Sequence, residues 1–380
     1  MAIKKERLLL IAVLIAVSLF FLLERSFLPG LTSKLSPYKS FELLGNVIGL
    51  VKRDYIEEVN PERTMKGALK GMIDSLDVLS SYLDKENALK YLQLRESRLK
   101  ETGIILSNGY GSFPMVIGVV ENSPAEKKGI QIGDTISTLD GKSTMTMSLE
   151  EAKLYLKDEE AKPVKLEVLR GLKTHELIIE RKKLFKNPST LSEVKGTSGI
   201  LKVHHLYPPS VSSIKKEYLP ALKFSKKALI VDLRNCYEGD MEEAFKFINL
   251  FLKANNIGYF EKNRGAKEKI SSPKNAVLER LPLVVWVNQA TIGAAEVVAS
   301  VLQEMRQAKI IGVPTLGLAA KQKLFPLEDG SALLLTTSVF RLKSGNKLWE
   351  KGVVPAVRIE MKDQSYPLYL EKTLDVLHHM

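Results

Sequence analysis

Three stretches in the C-terminal half most narrowly limit how this 380-residue chain can fold: Ala228–Arg234 and Leu283–Asn288, apolar runs that end in polar residues, and Ile310–Gly312. The apolar part of each run leaves no face for water, the condition of a strand buried on both sides in a parallel sheet. An amphipathic helix is expected after the first run, over Met241–Leu252, and another after the second, over about Ala294–Arg306. Strands and helices in alternation predict an α/β core over residues 187–360, with functional groups at the carboxyl ends of its strands. Residues 361–380 are left as a C-terminal tail.

Residues 100–185 have another texture, short β-like runs divided by turns, and predict an inserted β module. Ser123 caps a short helix with Pro124 in its first turn, and Gly129 ends it. Gly133 with Asp134, and Asp140 with Gly141, are turn pairs around a strand at Thr135–Leu139. Ser148 and Glu151 have the spacing of a capping box, opening a helix that runs to Leu156. Ahead of this module, residues 38–95 read as a helical hairpin. Phe41, Leu44, Val47, Ile48, Val51 and Tyr55 recur at helical spacing, Asn60 and Pro61 interrupt, and Met65, Ala68, Leu69, Met72 and Ile73 follow. The apolar face of this hairpin is expected to pack against a neighbour.

At the N-terminus, Lys4, Lys5 and Arg7 precede an apolar run from Leu8 to Leu23 broken only by Ser18. No small-residue cleavage site follows it before Pro29 and Gly30. Residues 1–30 are therefore expected to be an uncleaved signal anchor, single-pass, with the bulk of the chain extracytoplasmic, in the periplasm. The net charge of +12 is scattered along the whole chain. With no nucleic-acid motif beside it, this predicts a basic surface near anionic lipid and no nucleic-acid partner. Cys236 is the only cysteine, which excludes an intrachain disulfide framework. His175, His204, His205, His378 and His379 are too dispersed for metal-ligand spacing, so neither metal nor cofactor is expected.

Four stretches then become specific. Residues 38–84 (with Gly67–Met72 and Ser80–Asp84), residues 118–156 (with Asn122–Ala125 and Gly129–Asp134), Val231–Asn235, and the pair Asp329–Leu333 and Lys351–Pro355 resemble, in order and spacing, the C-terminal processing peptidases, also called tail-specific proteases. The resemblance implies an α/β protein: an N-terminal anchor and helical hairpin, a PDZ-like β module and a ClpP/crotonase-like core. In that family a serine attacks the peptide carbonyl and a neutral lysine takes its proton. The family motif sets the serine position at Gly293, three residues before Glu296, and the lysine position at Leu318, 22 residues after it. Gln322 matches a glutamine that orients the lysine. Glu238 falls in the oxyanion loop, where Cys236–Gly239 replaces the family's Asn-Pro-Gly-Gly. Ala294, beside Gly293, is grouped with these two as a vestige of the site.

Glycine has no atom to attack with, and leucine cannot accept a proton. The resemblance therefore implies a pseudoprotease that binds protein C-termini through its PDZ module. Thr102, Gly103, Ile104 and Ile105 would form the carboxylate loop, with Leu149 and Ala152 on the facing helix. The alternative is an active endopeptidase with a substitute nucleophile, either Cys236 with His204 or His205, or Thr291 with Lys321. Adjacent strand histidines point to opposite faces, so only one of the pair is expected to serve. The expected partners are C-terminal peptides or unfolded clients, the membrane, and a second copy or an active paralogue. A third reading gives the 38–84 hairpin an oligomerising role.

Overall fold

The computed structural model describes residues 37–96, 100–108, 111–197, 199–225, 227–272 and 276–378. The expected anchor over 1–30 lies outside the described residues, as does His379, and no described helix is long and apolar enough to cross a membrane. The chain divides into two units, Met1–Lys66 and Gly67–Met380.

In the first unit the helix Pro37–Asp54 is followed by the start of a second, Pro61–Asp74, whose Arg63 amide donates to the Asn60 side chain at 3.0 Å. That is the capping role which asparagine performs ahead of a helix. The positions expected to pack are exposed instead: Leu44 by 42%, Val47 by 46% and Ile48 by 38%. Helical periodicity locates an apolar face but not what covers it.

Among the described residues the second unit is built on three larger sheets and one two-stranded ladder. Its central six-stranded sheet has the order Ser189–Ser192, Ile200–Val203, Leu229–Asp232, Leu283–Val287, Lys309–Gly312 and Val357–Arg358. All neighbours are parallel except the first pair. Side chains alternate across it. Leu229, Val231, Leu283, Val285 and Val287 enter one core beneath the helices Met241–Ile248 and Ala294–Arg306, while Ile230, Val284, Trp286 and Ile311 enter a second on the opposite face. Two buried layers explain why these strands carry no polar alternation.

The second core corrects the expected tail at 361–380. Tyr366–His378 is a helix whose buried Tyr369 hydroxyl donates to the Val287 carbonyl at 2.8 Å. Its Thr373 accepts from the Trp286 indole at 2.8 Å. Arg234, paired with Asp232 at 2.7 Å, lies over the rings of Trp286 and Tyr369.

The helical region 38–95 also holds a strand, Ser81–Leu83, which pairs antiparallel with the long strand Ala332–Leu342. Ala320–Pro326 and Ala254–Lys262 pair with the same long strand, and Lys267–Ser272 completes this second sheet.

The β module is an antiparallel sheet in the order Ile104–Ser107, Met115–Val119, Thr135–Leu139, Val164–Arg170 and Lys173–Ile179. Its caps form as expected: Ser123 accepts from the Glu126 amide, and Ser148 with Glu151 makes the full capping box of the Leu149–Tyr155 helix. The module meets the core through Ile105, Ile117 and Val120, which pack on Ala290, Ile292 and Leu316. Gln289 reaches the Ile117 carbonyl at 2.6 Å, and Asn235 reaches that of Val119 at 3.0 Å. Gly118 permits this approach, since a Cβ there would stand 2.7 Å from the Cβ of Ala290. Gly118→Ala should therefore overpack the seam and destabilise the fold by about 1–3 kcal/mol in urea denaturation. An unchanged midpoint would show that the seam is not close-packed.

Candidate active site

Three loops leave the carboxyl ends of neighbouring parallel strands, where the topology predicts a site. The loop after Asp232 runs through Asn235, Cys236 and Glu238. The turn after Val287 runs through Asn288 and Thr291 to Gly293. The loop after Gly312 runs through Thr315 and Gly317 to Leu318.

Asn288 joins the first two loops. Its Oδ1 accepts from the Asn235 amide at 3.0 Å, and its Nδ2 donates to the Asn235 side chain at 2.9 Å. Thr291 fastens the same turn: its hydroxyl donates to the Leu233 carbonyl at 2.8 Å and accepts from the Asn288 amide at 3.0 Å.

Glu296 joins the second and third loops. It is fully buried at the first turn of the Ala294–Arg306 helix. One oxygen accepts from the Thr315 hydroxyl at 2.5 Å and the Gly317 amide at 2.6 Å; the other accepts from the Leu318 amide at 2.7 Å and the Gly293 amide at 2.9 Å. Burial pushes the Glu296 carboxyl upward, and these four bonds oppose the shift. The Thr315 hydroxyl is itself an acceptor for the Val353 amide at 2.8 Å, so it donates to Glu296. Four donors around two oxygens, at a helix N-terminus, describe a carboxylate.

The Glu296 staple fixes residues 293 and 318 relative to each other. Gly293 sits at φ 60°, ψ −109°, a conformation that suits glycine and strains other residues. A strand, a sharp turn at positive φ and a helix also form the geometry that lifts a nucleophile out of a sheet. A Cβ on Gly293 would meet only the Leu318 carbonyl oxygen, at 3.7 Å, so the space for a side chain remains. Gly293, Ala294, Leu318 and Gln322 line one cavity of about 970 Å³, and the Gln322 amide donates to the Leu79 carbonyl at 2.6 Å.

The Cys236–Gly239 loop, where the resemblance sets the oxyanion donors, is occupied by an ion cluster. Glu238 pairs with Lys157, Glu101 lies 3.9 Å from the same ammonium, and the Tyr237 hydroxyl donates to Glu101 at 2.7 Å. Glu101 and Lys157 come from the short ladder at the base of the β module, Lys100–Glu101 with Lys157–Asp158. Burial works against charge on Lys157, but Glu238 and then Glu101 hold its ammonium above the usual lysine range. Burial likewise opposes charge on Glu238, and Lys157 overcomes it and keeps the carboxyl low. Burial raises the Glu101 carboxyl, with Lys157 offsetting only part of the effect.

The substitute nucleophiles are committed elsewhere. Cys236 is buried in the main core, and burial pushes its thiol up, away from the reactive thiolate. Lys321 lies at the cavity rim, paired with Glu268 at 3.2 Å and placed over the Phe260 ring. His204 and His205 follow the Ile200–Val203 strand instead of lying within it. Both rings reach Phe185, and His204 stacks on it at 4.4 Å, so the expected split to opposite faces does not occur.

The carboxylate loop expected at Thr102–Ile105 is buried, with much of its backbone already engaged. The Thr102 amide donates to the Leu156 carbonyl, the Thr102 and Gly103 carbonyls accept from Ala125 and Val120, and the Ile104 amide donates to the Thr102 hydroxyl. Ile104, Leu149 and Ala152 belong to the β module's core, and Ile105 packs into the seam with the α/β core. Among the described residues no group of three or more His, Cys, Asp and Glu side chains is placed to hold a metal.

Comparison with known proteins agrees with this construction. Residues 198–359 match Peptidase family S41, and residues 115–170 match the PDZ domain. The carboxy-terminal processing protease CtpA of Bacillus subtilis (strain 168) is 29% identical over 367 residues, covering 96% of this chain and 78% of the relative. The chain thus carries a Peptidase family S41 core and a PDZ domain, and it is similar over most of its length to C-terminal processing proteases. A probable CtpA-like serine protease of Staphylococcus aureus (strain MRSA252) is 28% identical over 319 residues, 83% of this chain and 64% of that one. The solved photosystem II D1 C-terminal processing protease shares the fold, with a TM-score of 0.71 at 22% identity over 89% of this chain and 92% of its own.

Two outcomes test the site's construction. Glu296→Gln sets an amide N–H against backbone donors and should cost about 2–4 kcal/mol in thermal or urea unfolding. No loss would remove the staple from the structure's support. Burial, followed by the nearby Lys202 charge, pushes His204 down to about 4. Its folded value is depressed, so the unfolded chain binds more protons between about pH 4 and 6.5, and stability falls as pH drops through that window. His204→Phe should abolish up to about 2 kcal/mol of the decline between pH 7.5 and pH 5. Parallel declines in variant and wild type would mean that His204 does not titrate this way.

Proposed function

We propose that the chain is a pseudoprotease of its family, a membrane-anchored extracytoplasmic protein that holds protein C-terminal tails without cutting them. The single observation carrying this reading is the Glu296 staple, which holds positions 293 and 318 facing one cavity while neither residue has a reactive side chain. Losing a nucleophile of this class typically costs about a millionfold in turnover. The engaged Thr291 hydroxyl, buried Cys236 and ion-paired Lys321 favour this over a rebuilt nucleophile. The anchor rests on the Leu8–Leu23 run behind Lys4, Lys5 and Arg7.

The test incubates the full-length chain in detergent with unfolded proteins bearing apolar C-termini, beside the variant Gly293→Ser with Leu318→Lys. Mass spectrometry should find no cleavage by the natural chain. The double variant should cut, though it should be about 1–3 kcal/mol less stable because serine is strained at position 293. Cleavage by the natural chain that stops with Thr291→Ala or Cys236→Ala would overturn the reading.

A further inference from the structure

Glu238 stands where a developing oxyanion would need donors, yet it is a carboxylate inside a protein cavity. It is half-buried and seated on Lys157, and Lys153 and His205 add to the positive field that favours its charge. Lys157 in turn has one close anion, Glu238, and a more distant one, Glu101 at 3.9 Å, which the Tyr237 hydroxyl already engages. A half-buried ammonium of this kind requires a carboxylate beside it.

The same cavity holds Gly293, Leu318 and the apolar groups of Phe185 and Ile292, and its volume of about 970 Å³ has room for several peptide residues. The carboxylate loop expected in the β module, by contrast, has its Thr102 and Ile104 amides engaged internally.

We propose that Lys157 is the receptor for the terminal carboxylate of a bound tail, and that Glu238 occupies it as a stand-in carboxylate while no tail is present. This rests on the tail-binding reading above and places the tail in the cavity of the α/β core. Tail entry exchanges one carboxylate for another on Lys157 and releases the Cys236–Gly239 loop from the base of the β module. The self-occupied state lowers apparent affinity by the fraction of time the receptor is filled.

Fluorescence anisotropy with the full-length chain in detergent tests this, using a labelled peptide with an apolar C-terminal residue as free acid and as amide. The free acid should bind the natural chain about tenfold tighter than the amide. Glu238→Gln should tighten free-acid binding about tenfold and leave the amide nearly unchanged. Lys157→Met should erase the difference between the two peptides.

Equal binding of acid and amide by the natural chain overturns the proposal while leaving tail binding intact; that comparison needs no variant. A folded Glu238→Gln protein with unchanged free-acid affinity overturns it as well. Failure of both peptides to bind the natural chain and Glu238→Gln defeats the tail-binding reading, and the receptor role with it.

Discussion

The buried Glu296 carboxylate is the constraint on which the site depends. It gathers the amides of Gly293, Gly317 and Leu318 and the hydroxyl of Thr315, so a helix start and a distant loop share one acceptor. None of those bonds uses the side chain of residue 293 or 318. The geometry is carried by backbone, and so it does not require a reactive group at either position. Local stability and chemistry are separable at such a site, because a nucleophile at positive φ is a cost that the fold bears for function alone.

A second constraint couples the β module to the core. Gly118 allows close approach along the seam, Asn235 and Gln289 reach across to module carbonyls, and Lys157 draws Glu238 toward the short ladder. The Asn235–Glu238 loop is thus pinned from two sides, by Asn288 within the core and by Lys157 from the module.

Much of the fold was legible in the sequence because its strongest signals are local. The strands Leu229–Asp232 and Leu283–Val287, the helix Ala294–Arg306, and the caps at Ser123 and Ser148 all announce themselves within a few residues. What was hidden depends on distant partners. Residues 361–380 read as a tail because the partners that hold them, Trp286 on Thr373 and Val287 on Tyr369, lie some eighty residues earlier in the chain. The strand Ser81–Leu83 is too short to show a period and owes its existence to Ala332–Leu342. In the site, the spacing of Gly293 and Glu296 reads only as a motif position, and nothing local foretold that Glu101 and Lys157 would meet Glu238. The residues expected to grip a peptide carboxylate were placed by motif, and whether a loop's amides are free is decided by packing that a motif does not encode.

The most direct test of a preserved geometry without chemistry is a crystal structure of the Gly293→Ser, Leu318→Lys protein. The staple predicts that the Glu296 hydrogen bonds and both backbone positions stay as they are. The new hydroxyl and amine should then lie within about 2.6–3.2 Å of each other across the cavity. If residue 293 instead relaxes from positive φ, or the two side chains point apart, the backbone does not hold the catalytic arrangement, and the central claim fails.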